Sequence, residues 1–489
     1  MKIWGNRSVK RRVHRAWVLN FVLAALWVSL PVANGAESSL EHWIQDQTKR
    51  SLDFMIHAIS PSDGALGSVM ASPSRSQPDY YAFWVRDGSL VMREVWNYRS
   101  VNGKLAQNTL KDFALFSRRL QGTSNWSGAA YDLGIGEPKF EIDGHPYEKG
   151  WGRPQNDGPA LRVSALLGLA DDLMRSSDRE FVNQVLYRAE MPARTVIKAD
   201  LEYVAHHWQD SSFDLWEEVR GDHFYTRIAQ WRALLDGAVF AQRMGDSSAA
   251  KFYKEQSVLV LGSLNAFWSG SKGYLMATRN RIDGAGDKYS SLDIAVILGV
   301  LHSGKSGFPF SVDDDRVIAT MFQLEQAFDY AYPLNREKTN PDGFQMAPGI
   351  GRYPEDRYDG YRTDRQGNPW FLSTHAMAEY LLRLRGELKA QGGVKITDVS
   401  RPFFESLLRT NLRTKRSLQA GDMTFGALLK ALADRSDAYI RRSQFHTDRS
   451  GHQSEQFNRV DGYMQGARDL TWSYASFLSL RRIRDHFYE

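Results

Sequence analysis

The sequence contains no cysteine among its 489 residues. Disulfide bonds, thiol nucleophiles and cysteine-based metal sites are therefore excluded. A chain of this length with 42% hydrophobic residues can bury a large core, so its stability does not depend on disulfide bonds. Aromatic residues are abundant instead, with 14 Trp, 21 Tyr and 25 Phe, and they can supply both core and flat binding surfaces.

Acidic residues are absent from positions 1–36, which carry six basic side chains: Lys2, Arg7, Lys10, Arg11, Arg12 and Arg15. The formal net charge of +5 becomes −1 without these six, so the basic character belongs to the leader. An apolar run at 16–30 and small residues at 33–36 complete the pattern of an export signal. We predict a signal peptide at residues 1–36 and an exported mature chain, periplasmic or secreted; a retained membrane anchor is the alternative.

The apolar run at 16–30 is shorter than the roughly 20 residues that a membrane span needs, so we predict no integral span in the mature chain. The nearly neutral remainder lacks the basic surface of a nucleic-acid-binding protein, and no nucleic-acid partner is expected. No linker, low-complexity tract or charge block follows the leader. We therefore predict one domain at residues 37–489, and we expect a monomer.

Convincing strand patterns are scarce after the leader, whereas apolar residues recur at spacings of three and four. Pro159 and Pro369 fall where a first helical turn would begin. The spacing predicts an all-α toroid of paired helices, with the Gly-, Pro- and aromatic-rich loops 123–151 and 331–368 gathered at one end. The predicted helices span about 40–59, 86–100, 105–121, 159–174, 178–208, 222–244, 247–268, 289–301, 312–330, 369–390, 422–443 and 466–487.

Three carboxylates lie within five residues in the segment Asp214-Leu215-Trp216-Glu217-Glu218, just before a predicted helix. A carboxyl group against an aromatic wall tends to keep its proton near neutral pH. That property suits a general acid, which makes Glu217 a candidate. An acidic helix N-terminus, favoured by the helix dipole, is the structural alternative.

Glu455, in the segment Ser454-Glu455-Gln456, is the second candidate carboxylate. By itself it is better explained as a solvated loop glutamate. It gains weight as the partner of Glu217, because acetal hydrolysis needs an acid for the leaving oxygen and a second carboxylate on the opposite side.

A charged couple, Arg86 and Asp87, follows a run of aromatic residues that includes Tyr80 and Trp84. Such a couple can hold neighbouring hydroxyl groups, because Arg donates hydrogen bonds and Asp accepts them. A partly buried ion pair that caps the following helix is the alternative. The two long loops, with Gly136–Phe140 and residues 151–159 in the first and 351–371 in the second, suggest a rigid rim.

Together these segments resemble the glucoamylase family of glycoside hydrolases, family 15. The resemblance runs in order through almost the whole mature chain. It rests on segments 84–87, 136–140, 151–160, 214–218, 352–356, 368–372, 454–456 and 469–474.

The resemblance implies an (α/α)6 barrel that hydrolyses α-1,4-linked glucans or malto-oligosaccharides from their non-reducing ends and releases β-D-glucose with inversion. It assigns Glu217 as general acid, Glu455 as general base and Asp214 as a supporting catalytic carboxylate. It implies neither a metal nor an organic cofactor. The substrate-binding residues that it implies are Tyr80, Trp84, Arg86, Asp87, Lys139, Trp151, Leu215, Trp216, Glu218, Arg352, Tyr353, Asp356 and Trp370.

Two alternative functions remain compatible with these motifs. One is another exo-hydrolase on the same barrel, such as an α-1,6-glucodextranase or a trehalase. The other is a non-catalytic glucan-binding protein. The sequence also departs from some fungal members at Gly466, where they have a serine that hydrogen-bonds the base, and this departure implies a higher pKa for Glu455. No starch-binding module like that of many fungal members follows the last motif in this sequence, so we expect soluble malto-oligosaccharides rather than starch granules as substrates.

Overall fold

The computed structural model of the protein describes residues 35–176 and 178–488. Helices dominate this part of the chain, and the strands are short. The longer helices are α1 Gly35–His57, α2 Val85–Asn97, α3 Gly103–Gln121, α4 Gly158–Arg175, α5 Val196–His207, α6 Phe224–Arg243, α7 Ser247–Leu264, α8 Ala295–Ser303, α9 Asp315–Ala331, α10 Phe371–Gln391, α11 Arg401–Leu408, α12 Met423–His446 and α13 Thr471–Tyr488.

Six helices form a closed inner ring in the order α2, α4, α6, α8, α10 and α13, and α13 packs back against α2. Six others surround them, each against one inner helix: α3 on α2, α5 on α4, α7 on α6, α9 on α8, α12 on α10 and α1 on α13. Inner and outer helices alternate along the chain, apart from the short α11. The predicted (α/α)6 barrel is confirmed.

The burial of each helix follows from its apolar pattern. The inner helix α10 is buried on nearly every side, including its polar residues Ser373, Thr374 and His375. The outer helix α7 buries a single stripe at spacings of three and four, which includes Tyr253, Ser257, Val260 and Leu264. An amphipathic stripe of this kind places a helix on the surface of a core, whereas all-round burial places it inside.

Several predicted helix boundaries are wrong; among them, the predicted helix 289–301 begins only at Ala295. The predicted helix 178–208 is interrupted: a turn of helix ends at Leu186, irregular backbone follows, and α5 begins at Val196. Pro192 lies in this break, where it removes a backbone donor and obstructs a continuous helix. The predicted helix 466–487 begins only at Thr471, because Gly466 and Asp469 both have positive φ angles, 76° and 50°.

Short antiparallel strands, which the sequence pattern did not predict, hold the loops in place. The main ones are β1 Ala82–Trp84 paired with β2 Lys139–Glu141, a three-stranded sheet of β3 Ser212–Phe213, β4 Val219–His223 and β7 Thr278–Gly284, and β10 Gln456–Phe457 paired with β11 Met464–Gln465. The pairs β5 Trp268–Ser269 with β6 Tyr274–Leu275 and β8 Gly393–Lys395 with β9 Ser417–Gln419 complete the set.

The loops that enter the inner helices carry almost all of the predicted site residues. Trp84 precedes α2, residues 151–157 precede α4, Glu217 precedes α6, Trp370 precedes α10 and Glu455 precedes α13. Because inner helices alternate with outer ones, their N-termini meet at the same end of the barrel. The fold therefore gathers distant sequence segments into one region.

The predicted export signal lies outside the described residues except for Gly35 and Ala36, with which α1 begins. Within the described part of the chain, no helix combines the length and the apolar character needed to cross a membrane.

Candidate active site

Glu217 lies at the tip of a tight turn between β3 and β4. Its φ angle is 68°, a left-handed conformation that is uncommon for a residue with a side chain. Asp214 closes the turn, because its Oδ1 accepts hydrogen bonds from the backbone N–H groups of Glu218 (2.8 Å) and Val219 (3.0 Å), and its backbone C=O accepts one from Glu217 N–H (2.9 Å). These bonds fix the direction of the Glu217 side chain.

The Glu217 carboxyl group is held on one oxygen by two donors. Oε1 accepts hydrogen bonds from Trp84 Nε1 at 2.7 Å and from Gln155 Nε2 at 3.2 Å, and the Arg86 guanidinium lies 3.8 Å away. The side chain remains 19% exposed. One carboxyl oxygen is thus positioned by the protein, while the group stays accessible to a ligand.

A buried lysine, Lys288, contacts the Glu217 turn through Asp214. Its Nζ lies 2.8 Å from Asp214 Oδ2 and 2.8 Å from Asp293 Oδ2, and Asp293 in turn accepts hydrogen bonds from Trp216 Nε1 at 3.0 and 3.1 Å. Burial opposes ionisation of Asp214, but Lys288 and His223 outweigh it and hold its pKa below the usual value. One cation thus compensates two buried carboxylates.

The contacts of Asp214 indicate how it could act as the supporting carboxylate that the resemblance implies. The residue is 2% exposed, and both carboxyl oxygens are occupied by the turn and by Lys288. Both oxygens therefore hold neighbouring groups in place. We propose that Asp214 is a positioning residue that shapes the Glu217 turn.

We expect Lys288→Met to lower the free energy of unfolding by about 3 kcal/mol, because Asp214 and Asp293 would be left as uncompensated buried charges. It should also lower kcat through a looser Glu217 turn. Urea unfolding measures the first effect. The control is Lys305→Met, which removes an exposed ion pair with Asp236 and should cost less than about 1 kcal/mol. Equal losses in the two variants would refute the support role.

Glu455 is fully buried at the start of β10. Its Oε2 lies 3.3 Å from the Tyr358 hydroxyl and 3.4 Å from Gln456 Nε2, and its Oε1 has no hydrogen-bond partner among the described residues. Burial raises the pKa of Glu455 to about 8, although Arg352 and the Tyr80 hydroxyl oppose the rise. The free Oε1 is the atom with which this group could contact a water or a ligand.

A continuous row of aromatic side chains joins the two carboxyl groups. Trp84 donates a hydrogen bond to Glu217, and the centroid of the Trp84 ring lies 5.5 Å from that of the Tyr80 ring. The hydroxyl oxygens of Tyr80 and Tyr358 are 3.2 Å apart, and the Tyr358 hydroxyl donates a hydrogen bond to Glu455. Both carboxylates act on Tyr80, since burial raises its pKa and the charges of Glu455 and Glu217 raise it further. Two groups 238 positions apart therefore border one aromatic-lined space.

Arg86 and Asp87 form a buried couple beside Glu217: Arg86 Nε lies 3.7 Å from Asp87 Oδ2, and Arg86 NH2 lies 3.8 Å from Glu217 Oε1. Arg86 NH1 donates to Asp157 Oδ2 at 2.8 Å and to Gln155 Oε1 at 2.9 Å, which fixes the guanidinium. Its buried Nε has no hydrogen-bond partner in the part of the chain that the structure describes. Burial raises the pKa of Asp87 to about 6, although Arg86 opposes the rise. The pair is held rigidly and keeps unused hydrogen-bonding capacity, as a clamp for sugar hydroxyls requires.

Arg352 holds a second group of predicted site residues together. It donates to Asp356 at 2.8 and 2.6 Å and to Glu218 Oε1 at 2.7 Å, and Tyr353 donates to the other Glu218 oxygen at 2.6 Å. Its guanidinium lies within 5.5 Å of the ring centroids of Trp216, Tyr353, Tyr358 and Trp370. The predicted residues of this segment are therefore brought together.

Lys139 occupies a cage of three aromatic rings. Its Nζ lies 3.6 Å from the Trp151 ring centroid, 3.9 Å from that of Tyr147 and 4.2 Å from that of Trp84. Burial lowers the pKa of Lys139 to about 8, and Glu217 opposes this effect. The structure thus places Lys139 and Trp151 beside the indole that holds Glu217.

The Leu215 side chain belongs to the main hydrophobic core and is 4% exposed. Its place among the substrate-binding residues, which the resemblance implies, stays a prediction.

Several residues of the site escaped the sequence interpretation, chiefly Tyr358, Lys288 and Asp293. Tyr358 lies inside the predicted functional loop 331–368, so its position was a signal, but nothing distinguished it from the other tyrosines there. Lys288 and Asp293 precede α8 as an isolated Lys and Asp, a pattern too common to indicate a role. Their importance comes only from tertiary contacts.

Gly466 leaves room for the Glu455 carboxylate. A Cβ atom at this position would lie 2.3 Å from Glu455 Oε2, and the φ angle of 76° also disfavours a side chain. The raised pKa of Glu455 agrees with the direction expected from a missing serine. A serine introduced here would, however, have to displace the carboxylate, so Gly466→Ser would not isolate the effect of one hydrogen bond.

An (α/α)6 barrel in which a row of aromatic side chains connects two carboxyl groups, with an Arg–Asp couple beside one of them, has the features of a glycosidase. Glycosidases use a pair of carboxyl groups on either side of the glycosidic bond to cleave it, and this reaction needs no cofactor.

Comparison with known proteins identifies the family. The sequence matches the family described as Glycosyl hydrolases family 15 over residues 49–482, and the chain belongs to that family. It is 37% identical to a glucoamylase of Blastobotrys adeninivorans, over 93% of this chain and 74% of the relative. Among solved structures, the Saccharomycopsis fibuligera glucoamylase superposes with a TM-score of 0.81 at 30% identity, covering 92% of this chain and 96% of that one. The Hypocrea jecorina glucoamylase gives 0.82 at 31%, covering 92% and 73%.

Proposed function

We propose that the protein is an exo-acting α-glucan hydrolase that removes β-D-glucose from the non-reducing ends of α-1,4-linked chains, with Glu217 as general acid and Glu455 as general base. The observation that carries the assignment is the row Trp84–Tyr80–Tyr358, which connects the two carboxyl groups along one wall. The family membership and the glucoamylase relatives support it.

The proposed reaction is a single displacement. The terminal glucose enters as far as Arg86 and Asp87, and protonated Glu217 gives its proton to the glycosidic oxygen as the bond from that oxygen to C1 breaks. Ionised Glu455 takes a proton from a water that forms the new bond to C1 from the opposite face, so the configuration inverts. Inverting pairs are about 6.5–9.5 Å apart to admit this water.

Buried polar atoms without partners support a pocket that is completed by substrate. Among the described residues, Arg86 Nε, Trp151 Nε1, Trp370 Nε1 and Glu455 Oε1 lack hydrogen-bond partners. An unpaired buried polar atom is costly, and a hydroxyl-rich ligand or its water would satisfy these atoms.

Product analysis tests the proposed function and separates it from the alternatives. Maltotetraose, isomaltotriose and trehalose are given separately to the purified protein, and early products are followed by chromatography. We expect glucose and maltotriose first from maltotetraose. Preferential cleavage of isomaltotriose or trehalose would favour another exo-hydrolase, and binding of sugar without products would favour a non-catalytic role.

The pH profile follows from the burial of Glu455. A general base works only when it is ionised, so activity is lost as the pH falls through the pKa of Glu455. Burial raises this pKa to about 8, whereas that of an ordinary glutamate is about 4.3. The acid limb of the pH–rate profile is therefore expected at a higher pH than for an ordinary glutamate. Tyr358→Phe removes a donor to the ionised form and should move the limb further upward. Measurement of kcat/KM against pH for both proteins checks this; an unchanged or lowered limb in the variant would contradict it.

Export and a monomeric state remain proposals. Export rests on the basic and apolar pattern of residues 1–36, and the monomeric state is the simplest assembly for a site built within one barrel.

A further inference from the structure

Trp126 is exposed on the long loop between α3 and α4, yet it is fixed in place. Its side chain is 65% exposed, and its Nε1 donates a hydrogen bond of 2.8 Å to Glu148 Oε2. An exposed indole that is held by its polar end presents a flat apolar face to solvent. Such a face is available to a ligand at a low cost in side-chain entropy.

A buried clamp holds the Trp126 loop against the segment that carries Tyr147. Glu137 is 1% exposed and accepts hydrogen bonds from Ser127 Oγ at 2.8 Å and from Arg153 Nε at 3.0 Å. Arg153 NH2 donates to the Tyr147 C=O at 3.1 Å. The position of Trp126 relative to the pocket is therefore set by its neighbours rather than by a free loop.

Aromatic rings lead from the proposed acid to Trp126. The Trp84 ring, which holds Glu217, lies 5.8 Å from that of Trp151, and Trp151 lies 5.4 Å from Tyr147, the residue before the Glu148 that holds Trp126. Exposure rises along this row from 5% at Trp84 to 65% at Trp126. Because exposure rises along the row, it leads from the buried side of Glu217 toward the surface, and we expect the leaving chain to follow it.

We propose that Trp126 and Glu148 form an outer subsite for the leaving part of an α-glucan of several glucose units. The assignment rests on the proposed hydrolase function. The indole face stacks on the apolar C–H face of a glucose ring, and the Glu148 carboxylate accepts a hydrogen bond from a hydroxyl group of the same unit. Maltose is too short to reach this subsite, so its effect appears only with longer chains.

The test compares kcat/KM of Trp126→Ala for maltose and maltoheptaose. We expect the maltose value to stay within twofold of that of the unaltered protein, and the maltoheptaose value to fall about three- to tenfold. Trp126→Phe, which keeps a ring but loses the bond to Glu148, should show a smaller loss. The control is Tyr330→Ala on α9, which removes an aromatic side chain that is 94% exposed and should change neither value.

The outcomes are distinct. A loss confined to maltoheptaose supports the subsite. No loss, or an equal loss for both substrates, overturns it, because an equal loss would mean that Trp126 only stabilises the loop. Absence of hydrolysis by the unaltered protein would instead refute the proposed function itself.

Discussion

Glu217→Gln is expected to lower kcat on maltotetraose by about 10²–10⁴-fold while changing KM little, because an amide has no proton to give to the glycosidic oxygen. The amide oxygen can still accept the hydrogen bonds from Trp84 and Gln155, so the turn and pocket should keep their shape. Steady-state kinetics measures the effect. A loss much below tenfold would contradict the assignment of Glu217 as the acid.

The choice of substrate tells whether Glu217 acts as an acid. Fluoride leaves without prior protonation, so α-glucosyl fluoride should be hydrolysed by Glu217→Gln at a rate much closer to that of the unaltered protein. The neighbouring Glu218→Gln is the matched control, because Glu218 accepts bonds from Arg352 and Tyr353 rather than facing the acid position. It should alter KM more than kcat and show no special recovery with the fluoride.

Glu455→Gln should cost a similar 10²–10⁴-fold in kcat, for a different reason. The amide cannot take the proton from the attacking water, whatever the leaving group. The deficit should therefore persist with α-glucosyl fluoride. Recovery with this substrate would exchange the proposed roles of Glu217 and Glu455.

Glu355→Gln is the matched control for Glu455→Gln. Glu355 lies on the same side of the barrel and accepts hydrogen bonds from the backbone N–H and the hydroxyl of Ser290 at 3.0 and 2.9 Å. Loss of the Glu355 carboxylate should change kcat less than threefold, since Glu355 has no role in the proposed reaction. Comparable losses in the two variants would mean that the loops, rather than the base, had been disturbed.

Much of the barrel could be predicted from the sequence because the spacing of apolar residues within each helix indicates which of its faces are buried. The stripe of α7 and the all-round burial of α10 follow from residue spacing. The break before α5 did not follow, because a single proline at 192 leaves the apolar periodicity on either side intact. Most of the strands were missed because segments of two or three residues are too short to show a period.

The site residues likewise fall into those that could be predicted from the sequence and those that could not. Glu217, Arg86 and Asp87 stand in continuous motifs, so their sequence neighbours indicate their chemistry. Asp214 belongs to the same motif, but the motif does not show how its carboxyl group is held: only the contact with Lys288, 74 positions away, shows that Oδ2 accepts from a buried cation. Tyr358 likewise acquires its role only from its position between Tyr80 and Glu455.

The most direct test is the configuration of the first glucose released. Purified residues 37–489 are mixed with maltotetraose, and the anomeric protons are recorded by NMR before mutarotation equilibrates them. If residues 217 and 455 act from opposite faces of the same acetal carbon, the β signal rises first. Early accumulation of the α anomer would mean that the two groups do not work as an inverting pair.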